Sequence, residues 1–319
     1  MFVVAGVALA GLAWVVSFAT DEVGQRFGPA ITGFLQSTLG NLPEFFIVVF
    51  ALSSGETVVA RNSILGSLFS NALLVLGLAI IVGSLRSPER CMRFRTRLPN
   101  DTATLLLIAS FIIVLVGLSL ADRDLASRHI NAISAIAAGV LLIVYGTWAV
   151  GYLRSGPAAG DGHKRRTAVS LPGALTLLAA SGVGAAFVSD WFVAAVGPAV
   201  KALGVSKAFA GLVIVAIAGN AVENVTGIVL AKKGQSDLAI SVVKNSVAQI
   251  AAFLFPALVL VSLLFATPLT FAIAPVYIGA VFLTAIAIWQ ISGDGEAQLF
   301  EGAALIALYV VVAAFAWFE

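Results

Sequence analysis

Long apolar stretches recur from one end of the 319-residue chain to the other, and they constrain its fold more than any other feature. The chain is 60% hydrophobic and only 11% charged, with a mean hydropathy of +1.05. A water-soluble domain could not cover its surface with so few charged groups. Ten segments are long enough to cross the hydrocarbon core of a bilayer. They are residues 2–19, 37–54, 57–83, 102–121, 131–153, 168–188, 206–231, 236–265, 268–291 and 297–318.

These segments are predicted to be helices, because lipid cannot satisfy open backbone groups and no short strand alternation is present. The expected fold class is therefore an all-α integral membrane protein with ten transmembrane helices. Residues 20–36 and 189–205 are less apolar, and we interpret them as extensions of the preceding segments. The first segment lacks a basic leader, so we interpret it as a retained helix rather than a signal peptide.

Basic residues are distributed unevenly among the loops, numbered by the segment they follow. Four lie in even-numbered loops: Arg123, Arg128, Lys201 and Lys207. Twelve lie in odd-numbered loops: Arg26, Arg86, Arg90, Arg93, Arg95, Arg97, Arg154, Lys164, Arg165, Arg166, Lys232 and Lys233. The positive-inside rule predicts cytoplasmic odd loops and both termini outside, in a multi-pass protein of the cell membrane. The net charge of +2 gives no support for a nucleic-acid partner.

The chain contains two copies of one pattern. Residues 40–60 read GNLPEFFIVVFALSSGETVVA, and residues 219–239 read GNAVENVTGIVLAKKGQSDLA. The ungapped match pairs Gly40, Asn41, Glu44, Gly55, Ala60 and Ser67 with Gly219, Asn220, Glu223, Gly234, Ala239 and Ser246. A weaker match pairs FATDEVGQRFGPA (18–30) with FVSDWFVAAVGPA (187–199). Internal repeats of this kind are typical of secondary transporters.

Each copy belongs to a set of five predicted helices in the same order. Because five is odd, the second set enters the membrane from the opposite side, which makes the repeats inverted. We expect a first repeat over residues 1–153, a basic cytoplasmic linker over 154–167, and a second repeat over 168–319. Inverted repeats commonly place their binding site near the bilayer midplane.

Two glutamates stand out within the matched apolar stretches. A carboxylate inside a bilayer costs several kcal/mol unless it is protonated, paired or bound to a cation, so Glu44 and Glu223 are candidate functional residues. The alternative is that both are buried hydrogen-bond partners. Asn41 and Asn220 each lie three positions before a glutamate and share its helix face.

Gly40 and Gly219 precede those asparagines and permit local unwinding, which would free backbone carbonyls. Carboxylate, amide and carbonyl oxygens are the hard ligands that calcium takes. His129, His163 and Cys91 lie away from the motifs, so a soft-metal site such as structural zinc is not expected. With no nucleophile–base pair in the sequence, we expect no enzymatic activity and no cofactor.

A second polar set follows each motif. Ser67, Ser70 and Asn71 lie at helical spacing in the third segment, and Ser246 and Gln249 lie three apart in the eighth. Small polar residues often join membrane helices, so these side chains either fasten helices together or line a pocket.

Lys244 lies well inside the eighth segment, seven residues after Asp237 and opposite the Ser246 face of a regular helix. Three interpretations are open for it. It pairs with a carboxylate, it places its ammonium in the pocket as a substitute for a cation and so modulates the site, or it forms a Schiff base.

These motifs resemble those of the calcium/cation antiporter superfamily, and within it the proton/calcium exchanger branch. STLGNLPEFFIVVFAL followed by NSILGSLFSNALLVLGLA is similar to the first signature of that branch. FAGLVIVAIAGNAVENVT followed by DLAISVVKNSVAQIAAFLFP is similar to the second. Together they cover about a third of the chain.

The resemblance implies ten core helices, with Glu44 and Glu223 as the main ligands of a transported calcium ion. It also implies a pocket completed by the asparagines, serines and amides named above: Asn41, Asn220, Ser67, Asn71, Ser246 and Gln249. Sodium-driven relatives usually carry a further acid near Gln249, and its absence favours protons. The sequence departs from the branch at Asn224, Ala216 and the Lys244–Asn245 pair, and a basic linker replaces the usual acidic segment.

The expected function is exchange of Ca²⁺ for H⁺ in a lipid bilayer, since two facing carboxylates bind either protons or one divalent ion. One alternative is a sodium-driven or other monovalent/divalent exchanger. Another is a non-transporting membrane protein that retains the exchanger fold, with Lys244 replacing the substrate. The sequence does not set the oligomeric state.

Overall fold

A computed structural model describes the backbone of residues 1–24, 39–154 and 168–319. The side chains of residues 21, 24, 97–99, 154 and 221–223 lie outside the described part. Arg26, His163 and almost all of the predicted linker therefore fall outside it as well.

The described chain is mainly helical. In chain order, the helices are α1 (Phe2–Gly24), α2 (Leu42–Ser53), α3 (Thr57–Ser84), α4 (Arg97–Asp122), α5 (Ile130–Arg154), α6 (Leu171–Leu203), α7 (Lys207–Gly219), α8 (Ala221–Lys232), α9 (Ser236–Ser262), α10 (Pro275–Ser292) and α11 (Leu299–Phe318). A 3₁₀ turn, Leu125–His129, precedes α5. Three of these helices contain a π-helical turn, at Ser70–Val75, Ala210–Val215 and Ile250–Leu254.

Eight helices in the described residues are long and apolar enough to span a membrane, and the count rises to nine if α7 and α8, which are bent by 57° at their break, together make one broken span. The α2 helix is apolar but shorter, and it follows residues outside the described part. The protein is therefore a multi-pass helical membrane protein. The segment drawn as 168–188 extends to Leu203, which confirms residues 189–203 as an extension. The segment drawn from 268 becomes helical only at Pro275.

One element departs from the expected all-helical fold. Two three-residue strands, β1 (Cys91–Arg93) and β2 (Glu296–Gln298), pair antiparallel, with Cys91 opposite Gln298. They lie in the loops after α3 and α10. Extended backbone at a membrane surface leaves its N–H and C=O groups open, and pairing the two loops satisfies them. Helix periodicity in the flanking segments gave no signal for this contact.

The matched glycines of the two motifs end their helices in the same way. Gly55 follows α2 with φ 75°, and Gly234 follows α8 with φ 78°. In both turns the glycine N–H bonds the carbonyl three residues back, and the next N–H bonds the carbonyl five residues back. A residue with a Cβ is disfavoured in this left-handed conformation, which explains why glycine stands in both copies.

The helices pack in a reciprocal manner. α1 lies along α6, and α4 lies along α10. α3 packs on α11, while α9 packs on α5. The buried apolar core is one large cluster shared by these helices, with a smaller cluster of Leu105, Tyr145 and neighbouring side chains between α4, α5 and α9.

Loop contacts define two faces. On the strand face, which carries β1 and β2, the Arg86 guanidinium bonds the Lys232 carbonyl and Arg95 pairs with Asp237. On the opposite face, Lys207 Nζ lies 2.7 Å from a Glu56 carboxylate oxygen. Each of these contacts joins the first half of the chain to the second. The odd-numbered loops that these contacts join lie on the strand face. The even-numbered loops that contain Glu56 and Lys207 meet on the opposite face.

Candidate cation site

The first motif lies at a helix start. Asn41 is the N-cap of α2, and Pro43 stands in its first turn, where a missing N–H is tolerated. Glu44 is in the same turn and only 2% exposed, and Asn41 is 4% exposed. Gly40 is also buried. Glu44 therefore lies at the positive end of the helix dipole, which is a favourable place for a negative group.

The second motif lies at a break between two helices. α7 ends at Gly219, Asn220 leaves helical geometry with φ −105° and ψ 19°, and α8 begins at the next residue. Glu223 is in the first turn of α8, as Glu44 is in the first turn of α2, but its side chain lies outside the described part. Broken helices of this kind free backbone carbonyls for a ligand.

The two motifs meet. A Cβ placed on Gly219 would lie 3.9 Å from the Glu44 Cβ and 3.8 Å from Ile47. The backbone of the second motif's glycine therefore lies beside the first motif's glutamate, with room for no more than a methyl group between them. This contact joins the two copies of the repeat at a buried carboxylate.

Amide and hydroxyl groups extend this junction. Asn220 Nδ2 donates to Ser67 Oγ (2.7 Å) and to the Ala216 carbonyl (3.0 Å). Asn71 Nδ2 donates to Asn220 Oδ1 (3.2 Å) and to the Ser67 carbonyl (3.0 Å). All three side chains are buried. Among the described residues, no donor reaches Asn71 Oδ1, so this oxygen remains as an acceptor.

Ser246 and Gln249 are buried in α9, just before its π turn. Within the described part of the chain, Ser246 Oγ and both amide atoms of Gln249 form no hydrogen bond. The structure does not join them by hydrogen bonds to the Asn71–Asn220 cluster. Unsatisfied buried polar atoms are costly, so these groups are available to a polar ligand.

Lys244 is 2% exposed, and its Nζ donates a hydrogen bond to Ser292 Oγ at the end of α10. The Ser292 hydroxyl donates in turn to the Ile288 carbonyl. Lys244 forms no salt bridge with any side chain that the structure describes, Asp237 included, whose carboxylate faces Arg95 instead.

One polar contact near the first motif was missed by the sequence analysis. Ser189 is buried in α6, and its hydroxyl donates a hydrogen bond of 3.4 Å to the Pro43 carbonyl oxygen. The weaker upstream match pairs Ser189 with Thr20, and both hydroxyl residues are buried. That match was the signal that could have identified them, because two equivalent hydroxyls recur in apolar surroundings.

The candidate ligand atoms at the two motifs are carboxylate, amide, hydroxyl and backbone carbonyl oxygens. Among the described residues, no group of three or more His, Cys, Asp and Glu side chains is placed to hold a metal ion. The oxygen donors match the ligand preference of a hard cation such as calcium, and differ from the nitrogen and sulfur donors that zinc prefers.

Comparison with known proteins gives consistent matches over almost the entire chain. The family described as sodium/calcium exchanger protein matches residues 1–152 and 173–318. The vacuolar calcium ion transporter of Schizosaccharomyces pombe is 31% identical over 324 residues, which covers 98% of this chain and 77% of that protein. The Ca(2+)/H(+) antiporter ChaA of Bacillus subtilis is 32% identical over 319 residues, which covers 98% of this chain and 90% of that protein.

Solved structures agree with these matches. The structure of native YfkE superposes with a TM-score of 0.82 at 29% identity, covering 100% of this chain and 92% of that one. The H⁺/Ca²⁺ exchanger CAX superposes with a TM-score of 0.76 at 16% identity, covering 98% and 81%. At that identity the second likeness supports the fold alone.

Proposed function

Because the chain belongs to the sodium/calcium exchanger family, we propose that it exchanges calcium ions for protons across a lipid bilayer. The resemblance seen in the two motifs is confirmed by the family match. The relatives named as Ca(2+)/H(+) antiporters support protons as the coupling ion, since they align over nearly the whole chain.

The observation that carries the proposal is the contact of Gly219 with Glu44, which joins the two motifs at a buried carboxylate. In the proposed site, Glu44 and Glu223 are the main ligands, and each lies at the positive end of a helix. Asn41, Asn220 and backbone carbonyls released at Gly40 and Gly219 add neutral oxygens. Ser67, Asn71, Ser246 and Gln249 line the pocket.

Exchange follows from the charge of this site. Two carboxylates close together in a low dielectric repel each other, so at least one binds a proton when no cation is present. A calcium ion neutralises both carboxylates and displaces those protons. The two substrates therefore compete for the same oxygens, and the site changes its exposure from one side of the membrane to the other with one or the other bound.

We propose ten transmembrane helices in two inverted repeats, over residues 1–153 and 168–319 with a linker at 154–167. Three features support this arrangement. The motif helices α2 and α8 end in equivalent glycine turns, α3 and α9 carry π turns at nearly equivalent positions, and helix packing is reciprocal. Alternating access would then come from movement of one set of helices against the other.

We further propose that the strand face is cytoplasmic and both termini are outside the cell membrane, because the strand face carries the basic loops. Cys91 offers a native reporter, since it is the one cysteine and lies on β1. Burial and the nearby Glu296 carboxylate raise the pKa of its thiol, so we expect slow maleimide labelling at neutral pH that quickens as the pH rises. A membrane-impermeant maleimide should label Cys91 in inside-out vesicles and spare it in right-side-out cells.

Ion flux in proteoliposomes tests the proposed function. A pH gradient alone should drive calcium accumulation, and dissipating that gradient should stop it. A sodium gradient alone should drive none. Uptake driven by sodium and unaffected by the pH gradient would identify a sodium-coupled exchanger instead, and absence of any flux would favour a non-transporting protein.

The matched variants are Glu44→Gln and Glu56→Gln. Glu44 is buried at the motif junction, whereas Glu56 is a partly exposed carboxylate paired with Lys207 on the opposite face. We expect the first substitution to abolish exchange and the second to preserve it. Equal activity of both variants would remove Glu44 from the mechanism.

A further inference from the structure

Lys244 is a buried cation that the proposed exchange cycle does not use. It occupies the position equivalent to Leu65 of the first repeat, so the repeat itself does not require a charge there. Its side chain is 2% exposed and reaches away from α9 to Ser292 on α10. A residue that breaks the repeat with a costly buried ammonium needs a separate explanation.

Among the side chains that the structure describes, none neutralises Lys244. The Ser292 hydroxyl already donates to Ile288, so its oxygen is left to accept from Lys244 Nζ. The neighbouring α10 helix carries no acidic or basic residue. Nine charged residues lie on the other elements packed against α9: Glu44, Arg61, Arg93, Arg97, Asp101, Asp122, Arg154, Glu223 and Lys232. Among those whose side chains the structure describes, none forms a salt bridge with Lys244.

Lys244 is nevertheless close to the proposed cation site. It precedes Gln249 by five residues, which is about 7–8 Å along the helix axis. The adjacent Val243 is packed on Gly227, one turn beyond Glu223 in α8. The hydrogen bond to Ser292 therefore holds the Lys244 ammonium on the α10 side of α9. Mainly protein separates it from the proposed site, so solvent screens the charge only weakly.

We propose that Lys244 sets the cation affinity of this exchanger, by placing a positive charge behind the site that weakens binding of a divalent ion. The inference rests on the proposed function. A unit charge on the order of 10 Å from a divalent ion, in weakly screened protein, weakens binding of that ion about ten- to a hundredfold. One Ca²⁺ and two protons carry equal charge, so Lys244 weakens both and leaves their exchange equilibrium unchanged. Because both Ca²⁺ and protons are bound more weakly, Lys244 speeds the release of each of them from the site.

Calcium affinity of the purified protein tests this inference, by equilibrium binding of radioactive calcium over a series of pH values. The variants are compared at the same pH, in the range where calcium no longer competes with protons at the apo site and Lys244 still carries its charge. Lys244→Met removes the charge at similar volume, and replacing a buried ion in this way is commonly tolerated. We expect it to bind calcium at least about tenfold more tightly than the unaltered protein. Lys244→Arg keeps the charge and should bind within about threefold of the unaltered protein.

Two controls separate charge from structure. Ser292→Ala removes the hydrogen bond but keeps the ammonium, and should leave affinity within about threefold. Lys207→Met removes one positive charge at an exposed, hydrated position, and should change affinity less than about twofold. A Lys244→Met variant with unaltered affinity overturns the inference, as does a Lys244→Arg variant that shifts affinity as far as methionine does.

The failure of this inference is distinguishable from failure of the proposed function. If Lys244→Met does not tighten binding while Glu44→Gln still abolishes exchange, only the role of Lys244 is lost. If calcium binds to Lys244→Met but not to the unaltered protein, the charge effect stands and the exchanger function fails. If neither protein binds calcium, both are overturned.

Discussion

The two core helices that follow the motifs, α3 and α9, share their backbone features but differ in their packing. Each keeps a serine at the equivalent position, Ser67 or Ser246, and each contains a π turn a few residues later. π turns are frequent at functional sites, because they rotate the side chains that follow them. The backbone irregularities of the site are thus repeated in both halves.

The residue before the serine shows the difference. A Cβ placed on Gly66 would lie 2.1 Å from the Leu212 carbonyl oxygen, so α3 meets α7 backbone to backbone. The equivalent residue of α9 is Asn245, which carries a polar side chain, and it follows Lys244. The comparison indicates that the repeat preserves the geometry around the proposed site, while helix contacts and nearby charges have diverged between the halves.

The largest expected effect falls where the halves are most alike. Glu44→Gln and Glu223→Gln should each reduce pH-driven calcium uptake at least about a hundredfold, because each removes one of two charges that hold a divalent ion. Uptake of radioactive calcium into proteoliposomes measures this, with Glu56→Gln as control. A large loss for one glutamate and a small loss for the other would break the proposed equivalence.

A smaller but still large effect is expected where the halves differ. Gly66→Ala should destabilise the protein by about 1–3 kcal/mol or more, because the added methyl group meets backbone rather than a movable side chain. Asn245→Ala removes a polar side chain that has an interaction partner, and should cost about 1 kcal/mol. Thermal unfolding in detergent measures both. Equal destabilisation would show that α9 is packed as closely as α3.

The amides that follow the two serines, Asn71 and Gln249, are expected to differ in what their loss affects, which is protein stability for the first and calcium binding for the second. Asn71→Ala removes hydrogen bonds to Asn220 and to the Ser67 carbonyl, so it should lower the free energy of unfolding by about 1–2 kcal/mol and also weaken transport. Gln249→Ala breaks no hydrogen bond to a described residue, so it should change the KM for calcium with little loss of stability. A stable Asn71→Ala variant with an altered KM, together with a destabilised Gln249→Ala variant, would show that Gln249 supports the structure and Asn71 contacts the ion.

The smallest effects are expected at the surface contacts that join the halves. Arg95→Met on the strand face and Lys207→Met on the opposite face each remove an exposed ion pair, and each should cost less than about 1 kcal/mol. Thermal unfolding at low and high salt measures them. A loss of several kcal/mol at one face alone would show that this face holds the halves together.

Much of the fold could be predicted because the lipid environment limits the choices. Apolar length located most of the helices. The two motifs paired Gly55 with Gly234 and Asn41 with Asn220, but the glycine turns and the hydrogen bond of Asn220 to Ser67 came from the structure. The bend at Asn220 left only an indirect signal, since glycine permits a break without requiring it. The strand pair, the hydrogen bond of Ser189 and the direction of Lys244 depend on contacts between distant segments. Sequence periodicity carries no information on such contacts.

Proton release on calcium binding tests the central claim most directly. Adding calcium to the purified protein in weakly buffered solution should release about two protons per ion bound at a pH where the apo site is protonated. The release should disappear in the Glu44→Gln, Glu223→Gln double variant. Calcium binding of unchanged strength without proton release, or release that persists in the double variant, would contradict the account.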